Sequence, residues 1–208
     1  MKVTLFDCTA KGNPRKAANM LLFTKSTRLK MSPGLLEEIE AWSDERALQE
    51  LSYMANTVPS SWEFVHYSFI IEGVSRAFTH QLVRTRTAGY AQQAMRVVDM
   101  SQGRGWDYTT GPSIANNPGA LSLYAQTMED IDENYKKLIT LGAKNEDARG
   151  VLPTNIHTNI CMTLNMRALI ELIRKRQSPR VQDEYQQFIG LLREAAIVEH
   201  PWLTMDVQ

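Results

Sequence analysis

The sequence predicts a mixed α/β protein with helix in excess, and three observations lead there. Phe64-Val65-His66-Tyr67-Ser68-Phe69-Ile70-Ile71 is rich in aromatic and β-branched residues and ends at Gly73, as a strand does. Leu123, Met128, Ile131, Tyr135, Leu138 and Ile139 recur at three-four spacing, the mark of an amphipathic helix. The C-terminal third carries the same spacing twice more, from Leu152-Pro153 through Ile156, Ile160, Leu164, Leu169 and Leu172, and again through Phe188, Leu191 and Leu192.

The remaining elements follow in order. Ser75 stands as an N-cap before Phe78, Leu82 and Val83, so a helix is expected through Arg86, broken by Thr87-Ala88-Gly89. Gly103, Gly105, Gly111, Pro112, Asn116-Asn117 and Pro118-Gly119 make 101–119 read as one long surface loop. Gly142 should cap the helix that follows, and Ser178-Pro179 should separate the last two helices. With 208 residues, 43% of them apolar, and no internal repeat, a single domain over 1–208 is the expectation.

Charge and composition exclude several classes. Lys plus Arg equals Asp plus Glu at 23 each, which leaves no global field for holding nucleic acid. The opening Met1-Lys2-Val3-Thr4-Leu5-Phe6-Asp7 has no long apolar core, and no apolar run reaches the ~20 residues of a membrane span, so a cytosolic location without membrane contact is expected. Cys8 and Cys161 lack the spacing of a zinc site or a disulfide framework and are expected to be buried thiols, with no metal implied.

The charges are unevenly placed along this neutral chain. Gly73 to Val98 contains Arg76, Arg84, Arg86 and Arg96 and no acid, and Leu172 to Gln182 contains Arg174, Lys175, Arg176 and Arg180 and no acid. Convergent phosphate binding would use such clusters, since a guanidinium matches phosphate oxygens two at a time and stays charged when desolvated. Two solvated helix faces fit the charge alone equally well. Among the other side chains with chemical potential, His80 is placed as a proton shuttle or a structural histidine. His66, His157 and His200 are expected in structural or exposed roles. Tyr90 should pack, Met95, Met100, Met162 and Met166 should fill core, and Glu184 should either orient an arginine or lie on a helix surface.

Longer motifs discriminate between these readings. Glu72-Gly73-Val74-Ser75-Arg76-Ala77-Phe78-Thr79-His80-Gln81-Leu82-Val83-Arg84-Thr85-Arg86, followed by Gln92-Gln93-Ala94-Met95-Arg96, resembles the signature segment of the flavin-dependent thymidylate synthases, the ThyX family. Ala148-Arg149-Gly150-Val151-Leu152-Pro153, Asn165-Met166-Arg167-Ala168-Leu169, and Arg176 with Arg180-Val181-Gln182-Asp183-Glu184 are similar to that family's later motifs, in order and spacing. The resemblance covers roughly residues 60 to 190. It implies the ThyX α/β (α+β) fold, helix-rich around a central antiparallel sheet, and a homotetramer with sites shared between subunits.

It also implies residue roles. Positions matching Arg84, Arg86, Asn165 and Arg167 hold FAD in the family, and Ser60, Thr85, Gln92 and Glu171 stand at further flavin-side positions. Gln81, Arg84, Gln92, Gln93, Ala94, Arg96 and Arg149 match the surroundings of dUMP or a related pyrimidine nucleotide. Arg176 matches the arginine that meets the uracil and favours ionisation of its ring nitrogen, so that carbon 5 becomes nucleophilic. The implied reaction passes the methylene of methylenetetrahydrofolate to carbon 5 of dUMP, with NADPH reducing the flavin that supplies hydride. No cysteine nucleophile is required.

Departures from the pattern are not random surface changes. Thr85 replaces the middle His of Arg-His-Arg, Ala94 replaces a Ser, Val97 a Tyr and Asp183 a Trp, and Glu171 stands where His or Asn is usual. Val58-Pro59-Ser60-Ser61-Trp62-Glu63-Phe64 lacks both histidines of the upstream motif. These changes motivate two alternatives to thymidylate synthesis: a pyrimidine nucleotide C5-hydroxymethylase, and a catalytically silent relative that binds nucleotide or flavin.

Overall fold

The computed structural model describes residues 1–28, 31–102, 105–176 and 181–205. Four strands, β1 (Lys2–Cys8), β2 (His66–Ser75), β3 (Ala88–Gln92) and β4 (His157–Asn165), form one antiparallel sheet in the order β1-β2-β4-β3. The helices among the described residues are α1 (Pro14–Ser26), α2 (Leu35–Glu40), α3 (Asp44–Thr57), α4 (Arg76–Leu82), α5 (Pro112–Ala115), α6 (Pro118–Thr140), α7 (Asn145–Ala148), α8 (Met166–Lys175) and α9 (Asp183–Glu199). Helix is therefore in excess around a small sheet, as the sequence predicts. None of these helices is long and apolar enough to cross a membrane.

The chain groups into two compact units. The first comprises Met1, Ile71–Arg84 and Ala91–Ile160. Its core is Met95, Met100, Tyr135, Ala148 and Ile156, flanked by Trp106, Leu138 and Leu152. The Tyr135 hydroxyl accepts the Met100 N–H at 3.1 Å, which ties the segment after β3 to α6. Gly142 ends α6 as expected. Its φ of 90° is open to a residue without Cβ, its N–H reaches the Ile139 carbonyl, and the Ala143 N–H reaches that of Leu138.

The second unit comprises Lys2–Ile70, Thr85–Tyr90 and Cys161–Gln208. Asn13 caps α1 by accepting the Lys16 N–H, with Pro14 in the first turn, and Ser43 caps α3 through the Arg46 N–H. Tyr67 and Phe69 of β2 turn inward, as do Leu169, Leu172 and Ile173 of α8 and Tyr185, Phe188 and Leu192 of α9. Met162 and Met166 are buried here, as Met95 and Met100 are in the first unit, so all four methionines fill core.

Several expected boundaries move. Phe64 closes a 3-10 turn over Pro59–Phe64 and is 55% exposed, so β2 begins at His66 and continues through Gly73 to Ser75. Gly73 holds φ at 65° within the strand, a left-handed conformation that favours glycine. α4 stops at Leu82, so Arg84 and Arg86 lie in the turn beyond it, and Ala88-Gly89 opens β3. The loop expected over 101–119 contains α5 and the first turn of α6; its Gly103 lies outside the described residues, as do Ser178, Pro179 and Arg180.

The largest correction concerns 157–165, expected as helix and found as β4. Ile156, Thr158, Ile160, Met162 and Leu164 are all buried, and Asn159, Cys161 and Thr163 face outward. A spacing of four fits the helical period approximately and the strand period of two without remainder, so Ile156, Ile160 and Leu164 satisfied both. The same alternation explains Cys161. Cys161 is exposed on the outer face of β4, contrary to the expected burial, whereas Cys8 is partly buried and its thiol is pushed up to about 11, chiefly by that burial.

Candidate functional site

In the first unit, β2 passes into α4 without a loop. Ser75 is the last strand residue and the cap, its Oγ accepting the Phe78 N–H at 3.0 Å. The Arg76 and Ala77 N–H groups donate to the Ile156 and Thr154 carbonyls at 3.0 and 2.7 Å, so this helix start is occupied by backbone. Arg76 is thereby fixed at the first helical position. Its Nη1 lies 3.5 Å from the Gln93 carbonyl, and both partial burial and the positive charge of Arg149 lower its hold on its proton.

Gln92, at the end of β3, donates through Nε2 to Thr79 Oγ1 at 3.0 Å, and Thr158 Oγ1 lies 3.4 Å away. That fixes one face of its amide. Arg149 is exposed, and its Nε donates to the Glu146 carbonyl at 3.2 Å. Arg84 and Arg96 are exposed, as are Gln93 and Ala94, while Gln81 is half-buried on α4. Among the described residues no carboxylate pairs with Arg84, Arg96 or Arg149.

The second unit repeats the junction between strand and helix. Asn165 ends β4 and caps α8, its Oδ1 accepting the Ala168 N–H at 2.9 Å. Arg167 follows in the first turn and is already engaged: Nη1 meets Glu63 at 2.7 Å and Nε meets Glu171 at 3.5 Å. The hydrogen bond that it donates to Glu63 is the main reason its affinity for its proton is raised. Ser60 and Arg86 are exposed.

Arg176 closes α8 at its C-terminus, where a cation opposes the helix dipole favourably. Its guanidinium lies over the Tyr185 ring at 4.6 Å from the centroid. Thr85 stands near: the Tyr90 hydroxyl donates to its carbonyl at 3.1 Å, and Arg176 and Thr85 both act against the burial that pushes the Tyr185 phenol up. Burial, with Tyr185 nearby, pushes the Tyr90 phenol up to about 12.

The structure thus places Arg149 within electrostatic reach of Arg76, and Arg176 over the ring of Tyr185. Sequence reasoning assigned no role to Arg76, although it stood in the acid-free run, and gave no sign of Glu63 or Tyr185, whose contacts are made only in the fold. Of the histidines, His200 is buried with Nδ1 2.7 Å from the Tyr67 hydroxyl and His157 Nε2 lies 3.0 Å from Thr109 Oγ1, both structural placements. His80 is exposed. Glu184 is buried, not on a helix surface.

These features define an α/β protein with exposed guanidinium groups on both of its units. The family described as thymidylate synthase complementing protein matches residues 12–202. A flavin-dependent thymidylate synthase from Clostridium tetani is 33% identical over 202 residues, 88% of this chain and 77% of that protein. One from Nitratidesulfovibrio vulgaris is 42% identical over 144 residues, 64% of this chain but only 58% of the relative. The crystal structure of flavin-dependent thymidylate synthase ThyX from Helicobacter pylori, complexed with FAD and dUMP, superposes with a TM-score of 0.72 over 98% of this chain and 97% of that one, at 19% identity. The chain belongs to the thymidylate synthase complementing family, the flavin-dependent thymidylate synthases.

Proposed function

We propose that the protein makes dTMP from dUMP, using FAD, NADPH and methylenetetrahydrofolate, in the cytoplasm and as a homotetramer. The observation that carries this reading is the pair Arg76 and Arg149, close enough inside a neutral chain for the charge of Arg149 to lower the hold of Arg76 on its proton. Two like charges repel, and a dianionic phosphate bound beside them converts that repulsion into attraction for a ligand with donors already fixed. Gln92, clamped by Thr79 and Thr158, adds a rigid polar neighbour on the same unit, and Gln81, Gln93, Ala94 and Arg96 complete the assigned nucleotide surroundings.

The residues present fit a flavin. Arg84 and Arg86 are exposed, and among the described residues neither is paired with a carboxylate, so their donors suit a pyrophosphate. Asn165 and Arg167, ordered by the cap of α8, are assigned to the same group, with Ser60, Thr85 and Glu171 beside it. When bound, FAD supplies the hydride chemistry. The protein's own contribution is electrostatic: Arg176 holds a fixed positive charge for the uracil, which lowers the energy of the ring anion that makes carbon 5 nucleophilic. Neither cysteine takes part. The exposed Cys161 lies on the sheet, and the raised Cys8 thiol is not the thiolate that attack would need.

Mass analysis of the product tests the reading. Purified protein given FAD, NADPH, methylenetetrahydrofolate and dUMP should yield dTMP. A product heavier by one oxygen, or unchanged dUMP with bound flavin, would overturn it in favour of hydroxymethylation or silent binding.

A further inference from the structure

We propose that Tyr185 is a positioning residue for Arg176: its buried ring is the platform that sets the guanidinium plane. The assignment rests on the reading of Arg176 as the uracil-facing arginine.

Arg176 needs such a platform. It sits after the last turn of α8, and an unrestrained arginine there samples many rotamers, each a loss when one geometry is required. A cation 4.6 Å from an aromatic centroid is within the range of a cation–π contact. Among the described residues Lys25 lies over Tyr53 and Arg46 over Trp42 in the same way, but Tyr53 is 61% exposed and offers no fixed surface. Tyr185 is 0% exposed. It stands in the first turn of α9, its N–H bonded to the Gln182 carbonyl at 2.8 Å, and its ring meets Phe188 edge-on at 5.8 Å. The platform is thus locked by the core of its own unit.

Burial pushes the Tyr185 phenol up, and the Arg176 guanidinium, with Thr85, acts against that. The contact between ring and cation carries the assignment, and phenylalanine at the same place would keep it.

The experiment uses the full-length, FAD-loaded protein with dUMP as the probe, and reads kcat, KM, dUMP affinity by calorimetry, FAD content and thermal unfolding. Tyr185→Leu should lower turnover about tenfold or more with FAD content kept, while Tyr185→Phe, which keeps the ring, should lose about threefold at most. On an Arg176→Ala background, Tyr185→Leu should add less than about twofold, because the residue it positions is gone. An active wild type whose folded Tyr185→Leu form turns over equally fast overturns the assignment, as does an equal further loss on the Arg176→Ala background. A wild type that forms no dTMP instead overturns the proposed function, and Tyr185 then loses the reaction assigned to it.

Discussion

Arg149 and Arg167 keep opposite company. Arg149, in the first unit, stands near another arginine; Arg167, in the second, lies between Glu63 and Glu171. A net charge of zero says nothing about this, because it averages the two surroundings. An anion arriving at Arg149 relieves a repulsion, whereas one arriving at Arg167 must displace carboxylates at 2.7 and 3.5 Å. Arg176 is a third case: its guanidinium lies over an aromatic ring, and among the described residues no carboxylate pairs with it. The difference teaches that arginines of one family motif set can be prepared for ligands in distinct ways.

The largest expected effect tests the ring-held arginine. Arg176→Ala should raise the barrier by about 3 kcal/mol or more, the scale of one strong oxyanion donor, and so lower turnover ~100-fold or more. FAD content should barely change, and Arg176→Lys should restore little because an ammonium does not reproduce the planar fork. Wild-type turnover in folded, flavin-loaded Arg176→Ala protein would remove the assignment. Next in size, Arg149→Ala should raise the KM for dUMP about tenfold, as loss of one charged hydrogen bond to phosphate does, with kcat changed much less. A fall confined to kcat would break the contrast on the Arg149 side.

The Arg167 side predicts a smaller effect with the opposite sign. Glu63→Gln removes a competitor, so FAD should bind about two- to threefold more tightly, a modest factor because the pair is exposed and screened. Weaker FAD binding, read by flavin fluorescence, would show that Glu63 instead holds Arg167 in its binding posture. Smallest of all, joint Cys8→Ser and Cys161→Ser replacement should leave turnover within about threefold, since neither thiol reacts. Abolished activity in a folded double variant would require a covalent cysteine step.

Legibility in the sequence followed the range of the interactions. The Ser75 cap, the Gly142 stop and the long α6 were readable because cap, glycine and three-four period act within a few residues. β4 was misread because Ile156, Ile160 and Leu164 fit two periods at once, and only the buried Thr158 and Met162 between them decide the matter. α1 and α3 gave no expectation, since their apolar stripes are short and broken by polar residues. At the site, the motif segments located the arginines, but Glu63 is 104 residues from Arg167, and no local pattern links them. Tyr185 lies closer to Arg176 in sequence, yet their contact depends on how α9 follows α8.

Ser75 and Asn165 each serve a strand and a helix at once, and this has a consequence for motion. With no loop between β2 and α4, or between β4 and α8, neither helix start has a hinge about which it can swing independently of the sheet. Arg76 and Arg167 therefore inherit the rigidity of the strand ladder at their backbones, and only their side chains are free to rearrange on the nanosecond scale. In hydrogen exchange, the Phe78 and Ala168 amides, each bonded to its cap, should open only with the strand that ends there, far more slowly than the exposed turn carrying Arg84 and Arg86.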